Sequence, residues 1–235
     1  MARVENLDLI VGVVSCQKYV DRLQACVDTW IPDLLEICPR TRVVQVIADE
    51  NQHALFDFDR DIGRLSLRCP DTYEALAQKS QLFFKWVLEQ NSATHVFKCD
   101  DDTLINARAF AAHEVNTAYE GYPMPTPEAH FEYGSGGAGY FIDRRAMRCV
   151  VEDENFAQQP YEDLAVGQCL HTNGIVLHAN HQLVPSLNFW NKQDYIEVSG
   201  MKLPNRAFLA KHLTVHLHRM EPEAMYETHA LLTQP

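Results

Sequence analysis

The sequence predicts an α/β fold built on one mostly parallel sheet, and three observations carry that expectation. Apolar, strand-like runs alternate with amphipathic helical ones at βαβ spacing from the start of the chain. The 235 residues are 46% hydrophobic, enough for one sizeable α/β domain and short for two, so residues 1–235 read as a single domain. An acidic cluster, Asp100, Asp101 and Asp102, follows directly on a buried-strand pattern. Ligands of such sheets bind beyond the carboxyl ends of the strands, which is where this cluster falls.

Leu9 to Val14 reads as the first strand. Val20 to Leu35 carries Val20, Leu23, Val27, Trp30, Ile31 and Leu34 at helical spacing, with Pro32 expected to break or kink the helix. Thr41 to Ala48 is the second strand, and a short one follows at Leu65 to Leu67. The pattern from Thr72 to Glu89 predicts a helix with Leu76, Phe83, Trp86 and Val87 near one face, and His95 to Lys98 is the strand that delivers the acids. Gly121 to Pro127 holds three prolines and reads as a loop. Gly139 to Asp143 reads as a strand launched from the glycine-rich stretch 134–139. Such a stretch either makes a tight strand entry or lets backbone approach a ligand or another strand closely, and Gly137 within it is a candidate substrate-binding position. Because it precedes a strand and opens no helix, it is not a dinucleotide-binding fingerprint.

The acidic cluster admits two readings. If strand alternation continued, Asp100 and Asp102 would share one face as a two-carboxylate clamp for a hard divalent cation, with Asp101 pointing away. Alternatively the acids form a turn ahead of a helix capped by Asn106. Glu162 and Asp163 precede an apolar helical start; a carboxylate there can accept a proton from a substrate hydroxyl, or simply favour the helix N-terminus. In the strand-like run from His212 to Met220, His216 and His218 share a face while Val215 and Leu217 oppose them. Histidine there is a metal ligand or a residue at a wet sheet edge, and two Asp with one His suit Mn²⁺ better than Mg²⁺.

A formal charge of -12 with no basic stripe argues against general nucleic-acid or anionic-membrane binding. An anionic substrate must therefore be met locally, by a metal or a few cations. The apolar run near the N-terminus is short and interrupted by Asp8, so no integral membrane segment is expected in this chain. Seven cysteines without a CxxC pair fit reduced core thiols, and no Asn-x-Ser/Thr sequon occurs.

These residues also carry a family resemblance. Tyr73 to Ser80, Trp86, Lys98 to Asp102, Ser135 to Asp143, Glu162 to Cys169 and His218 to Glu227 follow the order and rough spacing of the β1,3-glycosyltransferases, glycosyltransferase family 31. The chain most resembles core 1 β1,3-galactosyltransferases and their Fringe-like relatives, and the likeness spans nearly its whole length. Asp28 to Trp30 is similar to the family's Arg-x-Thr-Trp signature, with Asp28 in place of Arg.

The resemblance implies a GT-A fold, a Rossmann-like sandwich around one mixed sheet flanked by helices. It implies an inverting enzyme that uses Mn²⁺ or another divalent cation to move galactose or N-acetylglucosamine from a UDP-sugar donor to a carbohydrate or glycoconjugate acceptor. Asp102 matches the metal ligand of the family's DxD motif, with Asp100 and Asp101 near the ribose and the metal's waters; the metal set is then Asp100, Asp102 and His218. Asp163 matches the catalytic base and Glu162 its acceptor-side neighbour. Asp49 sits where relatives contact the nucleotide, and Lys79 matches a recurrent lysine. The segment from His178 to Asn205 departs most from the family and is expected to shape the acceptor site; its aromatics Phe189, Trp190 and Tyr195 either offer faces to a sugar, with Trp190 the candidate substrate-binding residue, or anchor the core or the loop. Secretory relatives carry an anchor and paired cysteines, so a cytoplasmic enzyme is expected first and a trimmed Golgi or secretory-lumen domain second. The alternatives are a metal-dependent phosphohydrolase, which needs a second ligand cluster where only scattered His171, His178 and His181 are available, and a non-catalytic carbohydrate-binding relative.

Overall fold

The strand Leu9–Val14 (β1) has two apolar faces, Ile10 and Val14 on one and Val11 and Val13 on the other, all at most 5% exposed. A strand buried on both sides belongs in the middle of a sheet covered by helices. The computed structural model, which describes residues 8–126, 130–186, 193–198, 200–218 and 221–233, places it there.

The other strands are Thr41–Ala48 (β2), Phe56–Asp59 (β3), Arg64–Leu67 (β4), His95–Asp100 (β5), Thr103–Ile105 (β6), Tyr119–Gly121 (β7), Pro123–Pro125 (β8), Glu132–Gly134 (β9), Tyr140–Asp143 (β10), His178–Ala179 (β11), Leu183–Val184 (β12), Tyr195–Val198 (β13), Met201–Pro204 (β14) and Thr214–His216 (β15). Eight strands form the main sheet in the order β11-β7-β10-β5-β1-β2-β4-β3. β5, β1, β2 and β4 run parallel, whereas β10 pairs antiparallel with β5 and β7, and β3 antiparallel with β4. The sheet is therefore mixed. A smaller sheet, β12-β15-β6, sets His216 beside Thr103.

Helices Val20–Asp28 (α1), Trp30–Ile37 (α2), Leu76–Gln90 (α3), Ala107–Ala111 (α4), Arg144–Glu152 (α5), Glu162–Thr172 (α6), Arg206–Leu209 (α7) and Pro222–Thr233 (α8) cover the sheet. Phe83, Phe84, Met147 and Val166, from α3, α5 and α6, pack on the face that carries Ile10 and Val14. Leu23, Trp30, Leu34, Phe110 and Met225, from α1, α2, α4 and α8, pack on the Val11 and Val13 face.

Three local expectations change. The helix predicted over Val20 to Leu35 breaks at Thr29 (φ -117, ψ -98), which leaves Pro32 in the first turn of α2, where its missing N–H leaves no partner wanting. The proline-rich stretch from Gly121 is partly strand: Met124 faces Tyr133 in a two-stranded ribbon of β8 and β9, a place that tolerates proline. The helix expected from Thr72 starts at Leu76, and Asp71 ahead of it accepts from the Gln17 N–H and from Lys79 Nζ instead of capping a helix.

Gly139 closes the glycine-rich turn into β10 with φ +84, and a Cβ there would lie 2.2 Å from the Phe97 ring. Backbone strain and overpacking act together, so Gly139→Ala is expected to destabilise the protein by about 2–4 kcal/mol, read as a lowered denaturation midpoint with an unchanged m-value.

Candidate active site

The chain runs from β1 outward to β2 and later returns to the other side of β1 as β5, with Val14 level with Asp100. The carboxyl ends of β1 and β5 thus flank the point where the strand order reverses, the usual ligand crevice of such sheets. Ser15, one residue past β1, donates its hydroxyl to Asp101 Oδ2 at 2.6 Å. Its carbonyl accepts from Lys79 Nζ at 2.7 Å, and Lys79 pairs with Asp71 at 2.6 Å. Asp101 is 6% exposed, and burial pushes its carboxyl up to about 7, with the Asp102 and Asp100 charges adding to the effect.

The strand ends at Asp100, and Asp101 and Asp102 turn into β6, so the alternation that would put Asp100 and Asp102 on one face does not continue. Asp100 instead accepts from Lys98 Nζ at 2.7 Å, two residues earlier on the same face. Lys98 is fully buried and also lies 3.3 Å from Glu162, whose Oε1 accepts from the Tyr140 hydroxyl at 2.6 Å. Burial alone would lower the Lys98 ammonium's affinity for its proton, but Asp100 and Glu162 reverse that and hold it charged. Burial pushes the Glu162 carboxyl up, opposed by Lys98.

Asp102 faces another way. Its Oδ1 lies 2.9 Å from His216 Nε2 and its Oδ2 lies 3.6 Å from Arg22. Asp102, His216 and His218 each offer a ligand atom, all within 4.8 Å of one another. His216 Nδ1 bonds the Pro185 carbonyl, which fixes the ring and turns Nε2 toward Asp102. Burial disfavours the His216 cation, but the bond and charge of Asp102 outweigh it and raise the imidazole above its ordinary range. One carboxylate oxygen and two imidazole nitrogens suit a divalent transition cation better than Mg²⁺. In this set His216 stands where Asp100 was expected. The period-two pattern put His216 and His218 on one face, and that was the signal for it.

The glycine-rich turn joins this cluster to α6. The Gly136 N–H donates to Asp163 Oδ2 at 3.0 Å, and Asp163 Oδ1 accepts from Leu164 N–H at 2.9 Å. At Gly137 a Cβ would lie 2.2–2.8 Å from three atoms of the His216 ring, so only glycine leaves the ring its place. Adjacent residues of one turn therefore touch Asp163 and His216.

The remaining candidates divide by burial. Lys79, Asp101 and Glu162 are at most 6% exposed and hydrogen-bonded to internal partners. Gly137 likewise makes room for His216 and gives its carbonyl to Thr103 at 2.7 Å. Asp49 lies just past β2 in a turn, where its carboxylate accepts from Asn51 N–H at 2.9 Å. Trp190 and Phe189 lie outside the described residues.

No protein-family model matches the sequence. Among solved structures, the chain is similar to a glycosyltransferase involved in the glycosylation of the major capsid of PBCV-1, with TM-score 0.53 and 9% identity over 95% of this chain and 99% of that one. It is also similar to the galactosyltransferase LgtC in complex with donor and acceptor sugar analogs, with TM-score 0.54 and 14% identity over 97% of each chain. The fold is GT-A. The mixed sheet and flanking helices expected from the motifs are those of this glycosyltransferase fold. Among the described residues, no helix is long and apolar enough to cross a membrane.

Because the Gly137 site is filled by the His216 ring, Gly137→Ala is expected to displace that ring and weaken Mn²⁺ binding by about 10- to 100-fold, the range for losing a group that orients a ligand. Calorimetric titration of Mn²⁺ into the variant and the parent protein checks it.

Proposed function

We propose that the chain is a single GT-A unit that acts as an inverting, divalent-cation-dependent β1,3-glycosyltransferase, moving galactose or N-acetylglucosamine from a UDP-sugar to a hydroxyl of a glycan or glycoconjugate. The observation that carries this reading is the juxtaposition at the sheet's crevice. A cluster of one carboxylate and two imidazoles and a half-buried carboxylate at a helix N-terminus touch neighbouring residues of one glycine turn. The GT-A fold of the structural neighbours, one of them solved with donor and acceptor sugar analogs, supports sugar transfer as the chemistry, while the inverting stereochemistry and the β1,3 linkage rest on the family motifs.

In this reading Asp102, His216 and His218 hold the cation, with Asp100 at the donor side of the crevice. When bound, the cation stabilises the charge that develops on the departing diphosphate. Asp163 supplies the base. The acceptor oxygen attacks the anomeric carbon, the bond from that carbon to the diphosphate oxygen breaks, and the acceptor's proton passes to Asp163. A single in-line displacement inverts the anomeric centre, so an α-linked donor gives a β-linked product. The Gly136 N–H on Oδ2 and the Leu164 N–H on Oδ1 orient the carboxylate for that transfer. Asp49 is assigned to the nucleotide and Trp190 to the acceptor. A two-metal phosphohydrolase would need a second ligand group, and among the described residues Asp102, His216 and His218 form the one such cluster.

Asp163→Asn is expected to lower kcat for transfer by about 10²- to 10⁴-fold, the usual worth of a general base, while UDP affinity in Mn²⁺ stays close to that of the parent. An equal loss of UDP binding would make Asp163 structural. Asp102→Ala is expected to abolish the Mn²⁺-dependent part of UDP affinity in calorimetry. Affinity retained in Mn²⁺ and lost in chelator would remove Asp102 from the ligand set.

A further inference from the structure

A diphosphate entering a chain of net charge -12 needs cationic partners, and two lysines near the crevice are already committed. The side chains of Lys79 and Lys98 are 3% and 1% exposed and pair with carboxylates at 2.6 and 2.7 Å. Arg22, early in α1, is placed differently. Its side chain is 16% exposed, and its 3.6 Å approach to Asp102 Oδ2 is too long for a hydrogen bond. Its guanidinium lies over the Tyr19 ring, 4.4 Å from the centroid, at the connection that leaves β1 for α1. Such a cation–π contact uses no oxygen acceptor, so it does not take up the guanidinium's N–H donors. Asp101, Asp102 and Glu221 line the small gap beside it.

We propose that Arg22 is a donor-binding residue that changes partners: it balances Asp102 in the cation-free protein and donates to the donor's diphosphate oxygens once a divalent cation occupies the Asp102, His216 and His218 cluster. The inference rests on the nucleotide-sugar reading. The reason is charge competition for one carboxylate. A divalent cation on Asp102 repels a guanidinium a few ångströms away, and the diphosphate that meets the cation is the anion next offered to Arg22. Without nucleotide, Arg22 therefore opposes cation binding; with nucleotide, it strengthens the complex.

The two roles have opposite signs, which separates them from a loss of packing. Arg22→Gln is expected to bind Mn²⁺ alone on the order of ten-fold more tightly than the parent, from the removed repulsion, and to bind UDP in saturating Mn²⁺ on the order of ten-fold more weakly. Arg22→Lys, which keeps the charge and loses the fork, is expected to match the parent for Mn²⁺ and fall short for UDP. Calorimetric titrations of Mn²⁺ and then UDP into the three proteins, matched by circular dichroism, read both quantities. Mn²⁺ affinity unchanged or weakened in Arg22→Gln overturns the proposal, as does UDP affinity equal to the parent's. Binding of Mn²⁺ by neither the parent nor Arg22→Gln overturns the cation site itself, and with it both this inference and the reading on which it rests.

Discussion

Lys98 sits near the end of a central strand with its side chain out of water and a carboxylate on either side, Asp100 from its own strand and Glu162 from the start of α6. Taking the Lys98 and Glu162 charges into the interior is costly, with Asp100 partly exposed beside them, and removing one partner of such a buried pair typically costs about 3–5 kcal/mol because the other is left uncompensated. That penalty ties the carboxyl end of β5 to the N-terminus of α6. Asp163 is the next residue after Glu162, so the tie also sets where the half-buried carboxylate stands. Tyr140, from β10, completes it by donating to Glu162.

The acidic cluster is stable because its three carboxylates are dealt out to three different surroundings. Asp100 goes to Lys98, Asp101 to the Ser15 hydroxyl, and Asp102 to His216 and Arg22. The strand ends at Asp100, so the following residues turn, and each side chain leaves in its own direction. Only Asp102 meets the histidines that return on β15 and just beyond. An acidic run that reads as a clamp in one dimension is, in three, one ligand-type carboxylate flanked by two that hold the crevice together.

The glycine turn before β10 works by close approach. Gly136 offers its N–H to Asp163, Gly137 makes room for the His216 ring, and Gly139 admits Phe97. A tight strand entry and a site-building backbone are the same object here. Similarity to solved glycosyltransferases at 9% and 14% identity is compatible with this picture, since a mixed sheet with a strand-order reversal can be built from many apolar sequences.

Much of the fold was legible because burial imposes a pattern. The unbroken apolar run in Leu9–Val14, buried on both faces, and the helical spacing in Leu76–Gln90 are consequences of which faces meet the core. Strand alternation places His216 and His218 on one face, and Asn106 caps α4 as its place before the helix predicts, its side chain accepting from Ala109 N–H at 3.3 Å. What the chain's order alone did not settle was partnership across distance. Lys98 with Glu162, Ser15 with Asp101 and His216 with Pro185 join residues far apart in sequence, and no local pattern encodes which buried charge meets which. Residue types and local periods thus determined the sheet, the helices and the candidate acids. Only tertiary packing decided that Asp102 and not Asp100 joins the histidines, because a strand's end is fixed by its neighbours in the sheet and by the turn they permit.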